Sequence, residues 1–134
     1  METGGKKSIS IYAINATSDV SQSNGLAYFS IPAELDGATL SRANATVITP
    51  GTTNATTITL YKLAVASNEL TVYGEMLSVD ISIASAKNVG TAGTLHGTAA
   101  NYTVATDDVV RIDCTGVSTT APKGLIVNLQ FTDE

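Results

Sequence analysis

The sequence predicts an all-β fold, a two-sheet antiparallel sandwich of about eight strands with jelly-roll or Greek-key connections. Three observations predict it. Short stretches of alternating apolar and polar residues are separated by Gly, Asn, Thr and Pro throughout the chain. No segment carries a convincing helical period. Charged residues make up only 14% of the 134 residues, against about 25% in ordinary soluble domains. With 20 Thr and 12 Ser, hydroxyl side chains must cover much of the surface instead.

The first strand is expected over residues 8–14, with Ile9, Ile11 and Ala13 on one face. Residues 15–25 are polar and turn-rich. The second strand spans residues 26–31 and stops at Pro32. Residues 33–38 read as a turn or a brief helical turn. The third strand, residues 40–49, alternates Ala43, Ala45 and Val47 against Asn44 and Thr46. Residues 50–54 supply turn chemistry before a fourth strand over 56–64, with Ile58 and Leu60 inward. The short connection predicts that the third and fourth strands pair as a hairpin.

Residues 65–74 read as a loop with room for a short strand. The clearest alternation follows, from Met76 to Ile83. It places Leu77, Val79, Ile81 and Ile83 on one face and Ser78, Asp80 and Ser82 on the other. Residues 85–101, rich in Gly, Ala, Thr and Asn, read as a long low-complexity connection. Tyr102 to Ala105 allows a short strand. Residues 108–115 form a strong strand, and residues 117–123 a loop. The last strand, residues 125–131, turns Leu125, Val127, Leu129 and Phe131 inward, while Ile126 interrupts its polar face. The length fits one domain, residues 8–134, preceded by an N-terminal arm, residues 1–7.

Composition excludes several classes. Low charge with 43% hydrophobic residues is the reverse of a disordered chain. A net charge of −5 argues against a nucleic-acid binder. No apolar run approaches the roughly 20 residues of a membrane span, and none follows the first residues as a leader would. Synthesis in a cytoplasm is therefore expected, with no membrane partner.

A search for chemistry finds no constellation. Nucleophile-elbow, zincin, P-loop and Rossmann patterns are missing. Cys114, the single cysteine, sits in a strand and reads as a small buried apolar residue. His96, the single histidine, lies among Gly and Thr. The expectation is a protein that is not an enzyme and holds no cofactor. Asp107, Asp108 and Asp113 raise the question of calcium. Against it, Asp commonly closes a turn at a strand entrance, and Asp113 has Arg111 or Lys123 within reach as an ion-pair partner. Phe29 and Phe131 are expected in the core, leaving Tyr61, Tyr73 and Tyr102 for the surface. Nothing in the sequence clusters them into a glycan platform. The arm residues Lys6 and Lys7 form a small positive cluster on an acidic protein. Lys6, Lys7, Tyr73 and Tyr102 are the candidate partner-binding residues.

Residues 25–40 resemble small structural proteins of tailed bacteriophages, as do residues 75–78, 107–113 and 121–125. Together these stretches cover about half the chain. The resemblance is of pattern and carries over no functional residue. It implies a β-sandwich or jelly-roll module of the virion, made in the host bacterial cytoplasm. The expected role is a capsid decoration or cement protein that binds the major capsid protein and stabilises the shell. A homo-oligomer, most simply a trimer, accompanies that role. The alternative is a fibre or receptor-binding module that adheres to a glycan or cell surface.

Overall fold

The computed structural model describes residues 5–133, and these are all-β with no α-helix. Strand β1 (Lys6–Asp19) pairs with β10 (Lys123–Thr132), which pairs with β3 (Thr39–Thr46) to form a three-stranded sheet. The facing sheet runs in the order β2 (Ser23–Ser30), β9 (Val109–Gly116), β4 (Thr56–Ala66) and β5 (Glu69–Glu75). Its fifth strand, β7 (Ile81–Ile83), pairs with the start of β4. A small third sheet joins β6 (Leu77–Val79) to β8 (Thr94–Leu95). Every pairing is antiparallel. The β-sandwich read from the alternation is therefore the observed fold.

The alternation explains the core. Leu125, Val127, Leu129 and Phe131 point from β10 into the sandwich and are buried. Ile58 and Leu60 of β4 and Val110, Ile112 and Cys114 of β9 meet them from the other sheet. Every second residue of a strand faces the same way, so each strand contributes one apolar row. Phe131 is fully buried, whereas Phe29 is half-buried at the core margin.

The third and fourth strands do not form a hairpin. β3 pairs with β10, and β4 pairs with β9, β5 and β7. Ala43 and Ala45 of β3 and Ile58 and Leu60 of β4 all face one core from opposite sheets. The connection must therefore span the roughly 10 Å between layers rather than turn within one sheet. Its residues bond the start of β10 and the β9–β10 connection on the way, as Thr49 bridges Lys123 and Thr52 bridges Thr120.

The hairpin lies one element later. β4 continues to Ala66, and β5 follows after a two-residue turn. Ser67 and Asn68 both have positive φ, at 52° and 63°, as a type I′ turn requires. The segment read as a loop is thus mostly strand. The polar residues 15–19 and 23–25 likewise extend β1 and β2.

The run from Met76 to Ile83 is not one strand. It breaks at Asp80 into β6, paired with β8, and β7, paired with β4. Leu77, Ile81 and Ile83 are buried, but Val79 is 57% exposed. The long connection after Ile83 is also ordered by pairing. Gly90 and Gly93 donate to the Ala45 and Ala43 carbonyls of β3, and Thr91 exchanges both backbone hydrogen bonds with Ser82 of β7. Residues 88–93 therefore lace the two sheets together along one side. That covering explains why Asn44, predicted to face outward, is only 6% exposed.

Candidate functional site

The outer face of the five-stranded sheet carries a row across four strands. Tyr28 of β2 sits opposite Arg111 of β9, Arg111 opposite Tyr61 of β4, and Tyr61 opposite Glu75 of β5. Cross-strand partners lie about 4.5–5.5 Å apart, so the four side chains stand shoulder to shoulder. The Arg111 guanidinium lies 4.7 Å from the centre of the Tyr61 ring. Its Nε and Nη2 each donate a 3.0 Å hydrogen bond to the two oxygens of Asp113. Asp113 Oδ1 also accepts the Gly25 N–H at 2.8 Å. The hydrogen bonds from Arg111 to Asp113 hold the guanidinium above its usual range. Burial, followed by the nearby Glu75 and Asp113 carboxylates, pushes the Tyr61 hydroxyl up. Tyr28, at 60% exposure, is the open end of the row. Next to the row, Thr59 of β4 sits opposite Asp113, and its buried hydroxyl has no hydrogen-bond partner among the described residues.

The opposite outer face is different. Ser10 donates to Asn128, and Ser41 donates to the carbonyl of Gln130. These groups satisfy one another along the three-stranded sheet. One end of that face is apolar, where Tyr12, Ile14, Ile48 and Ile126 line an open hollow of about 370 Å³. Ile126, the residue that interrupts the polar face of the last strand, lines this hollow and is half-buried.

The four residues singled out from the sequence do not converge. Lys6 and Lys7 are not a free arm but the first residues of β1, opposite Thr132 and Phe131. Lys7 Nζ donates to the Glu34 carbonyl at 2.9 Å and lies 3.7 Å from Asp133. Gly5 accepts the Asp133 N–H at 2.8 Å, and residues 1–4 of the proposed arm lie outside the described residues.

Tyr73 and Tyr102, in contrast, flank one feature. Lys62 points inward from β4, is 7% exposed, and donates to the carbonyls of Ala100 and Thr103 at 2.6 and 2.9 Å. Its ammonium lies 3.9 Å from the centre of the Tyr73 ring. A register shift between Lys62 and Leu63 leaves Tyr73 without a cross-strand partner and places it over this lysine. Tyr102 belongs to the loop whose carbonyls Lys62 grips, and it packs against the core. Burial lowers the Lys62 pKa, opposed by the Asp108 charge. The arrangement clamps the β4–β5 hairpin to the 3₁₀ turn Ala99–Asn101.

The acidic residues are engaged separately. Asp108 accepts the N–H groups of Val65 and Ala105, and Asp113 is held by Arg111 and Gly25. Lys123 pairs with Asp19 rather than Asp113. Among the described residues no group of three or more His, Cys, Asp or Glu is arranged to hold a metal. Cys114 is buried, and burial raises its thiol pKa, so it carries little thiolate. His96 Nδ1 accepts the Thr98 N–H and has no nucleophile as a hydrogen-bond partner among the described residues.

Sequence reading missed Tyr28, saw Arg111 only as an ion-pair partner of Asp113, and missed Tyr12. Each occupies the polar-side position of its strand, beside Ser30, Asp113 and Ser10 respectively. That placement was the available signal for an exposed aromatic or cation. No protein-family model, curated protein or solved structure matches the chain.

Proposed function

We propose that this protein is a structural component of a tailed-bacteriophage virion, a decoration or cement module that binds the outer capsid shell through the major capsid protein. The observation that carries the reading is the uncovered outer face of the five-stranded sheet, with Tyr28, Arg111 and Tyr61 in one row. Tyr and Arg concentrate binding energy at protein–protein contacts. The low charge supports the same reading, because few ions need be desolvated at such an interface. The sequence resemblance to phage structural proteins supplies the particle. A module that binds only the assembled shell stabilises it by mass action. A homotrimer fits binding around a symmetry axis.

Quantitative mass spectrometry of purified particles tests this. The expected result is a fixed, high copy number on the virion, and lower heat resistance of particles made without the chain. Absence from the particles overturns the reading. The double substitution Lys6→Glu and Lys7→Glu, at the start of β1, tests whether these two lysines touch the shell: weaker particle binding is expected, and unchanged binding removes them from the contact.

One observation favours a second reading, a fibre or receptor-binding module. Tyr28 offers an exposed ring face beside a guanidinium, a surface on which a sugar could stack. A glycan array separates the two roles: an adhesin must bind a glycan that Tyr28→Ala no longer binds.

A further inference from the structure

We infer that the free edge of β5 is a docking site for an extended strand from a partner protein, a strand with basic residues at its ends. The inference rests on the assembly reading and names the partner class at this sheet.

The edges of the two large sheets differ in how they are closed. The edge of β3 is covered by residues 88–93, whose N–H groups bond its carbonyls. β1 and β2 lie against each other at the opposite side. β5 pairs with β4 alone, and no isolated bridge reaches it among the described residues.

The hairpin geometry says which groups are bare. A two-residue turn makes Ala66 and Glu69 a hydrogen-bonded pair, so Val65 and Leu70 form the next, non-bonded pair. The Val65 N–H agrees, since it points away from β5 to Asp108 Oδ1. By the same alternation, Leu70 and Val72 direct their N–H and C=O groups to the open edge. Their side chains are 48% and 54% exposed and lie beside Val65, itself 39% exposed. At the far end the Asn101 amide donates to the Glu75 carbonyl and closes the ladder. The open stretch thus runs from Glu69 to Val72.

Unprotected edges are normally blunted by Lys, Pro or an inward charge. This one has none of these between Glu69 and Glu75. What it has is a carboxylate at each end, neither of them in an ion pair among the described residues. Charge decides the occupant. A second copy would set acidic end against acidic end, in a chain whose net charge is already −5. Glu75 shares the Tyr61 face and Glu69 the opposite, Ala66 face, so a strand with one Lys or Arg near each end, on opposite faces, meets both carboxylates and adds backbone hydrogen bonds to Leu70 and Val72.

The test is amide exchange by NMR on the full chain, with the blocked peptide Lys-Val-Thr-Val-Thr-Lys as probe, whose two lysines lie on opposite faces when extended. The expected result is fast exchange at Leu70 and Val72 in the free protein and slowed exchange with peptide. A peptide with Glu at both ends should bind several-fold more weakly, and the double substitution Glu69→Lys with Glu75→Lys should reverse the preference. No protection up to the solubility limit overturns the proposal. So do perturbations centred on Tyr28 and Arg111. Protection in the free protein with a doubled mass in solution also overturns it, in favour of a second copy. The outcome is independent of the particle reading. A chain found on virions with unprotected edge amides fails this proposal alone, and a chain absent from virions with protected amides fails the shell reading alone.

Discussion

The two sides of the sandwich close in opposite ways. On one side, residues 88–93 bond both β3 and β7 and make a continuous backbone seam. On the other, the β4–β5 hairpin projects with a bare edge and an apolar flank. The seam side is made of Gly, Ala, Thr and Asn, the hairpin side of Leu, Val and Tyr. Hydropathy alone would rank them the other way, with the apolar hairpin inside. The difference teaches that small residues allow a backbone to sit between two sheets, where larger ones would not fit. Gly90 and Gly93 show this directly. A Cβ on Gly90 would lie 2.9 Å from Asn44 Oδ1, and one on Gly93 would lie 2.9 Å from the Val79 carbonyl.

The largest expected effect breaks the comparison at its core. Ile81→Ala, under the seam and fully buried, should destabilise by about 2–5 kcal/mol. Val72→Ala on the open hairpin should stay within about 0.5 kcal/mol. Urea unfolding of both variants measures the contrast, and similar losses would show that the hairpin side is as well packed as the seam.

Next come the seam glycines. Gly93→Ala should cost about 1–3 kcal/mol, because its Cβ meets the Leu77 side chain and a backbone carbonyl that has no room to move. Thermal unfolding reads it, and an unchanged midpoint would mean the seam can shift outward freely.

Asn44→Ala should cost a comparable or smaller amount, about 1–3 kcal/mol. It removes the 2.9 Å bond to the Gly90 carbonyl and the 2.8 Å bond from the Ala45 N–H. Faster amide exchange confined to residues 88–93 would accompany it. Exchange unchanged there would assign the seam's order to its backbone bonds alone.

The smallest effect sharpens the hairpin side. Lys62 has a folded pKa below its ordinary 10.5, because burial disfavours the ammonium. Its contribution is therefore least favourable below the folded pKa and rises with pH until about 10.5. Tyr61, with its pKa raised from 10.0, acts in the opposite sense and loses stability as pH climbs through its folded value. Lys62→Met should remove the rising contribution and leave the Tyr61 decline. Urea midpoints across the alkaline range measure it, and parallel profiles for the two proteins would refute the assignment.

The legible and illegible parts of this chain divide by range. Alternation at residues 125–131 set the inward row of the last strand, because a two-residue period is local. The same rule misled at residues 76–83, where Asp80 separates two strands that pair with different neighbours. The candidate site was less legible. Tyr73 was visible as an aromatic in a polar setting, but its seat over Lys62 depends on a register shift in the hairpin. Tyr28, Arg111 and Tyr61 lie in strands far apart in sequence, and only the ladder order of β2, β9 and β4 aligns them.

By itself the sequence determined that this is an all-β protein, which strands exist over most of its length, and which of their faces are apolar. Side-chain period and turn chemistry act over a few residues, so one chain suffices to read them. The tertiary structure decided which strands pair, that the short connection after β3 crosses between sheets, that the small-residue segment seals one side, and that the β5 edge is left open. Those outcomes depend on long-range competition for one shared core and for backbone hydrogen-bond partners. No local pattern encodes the result of that competition.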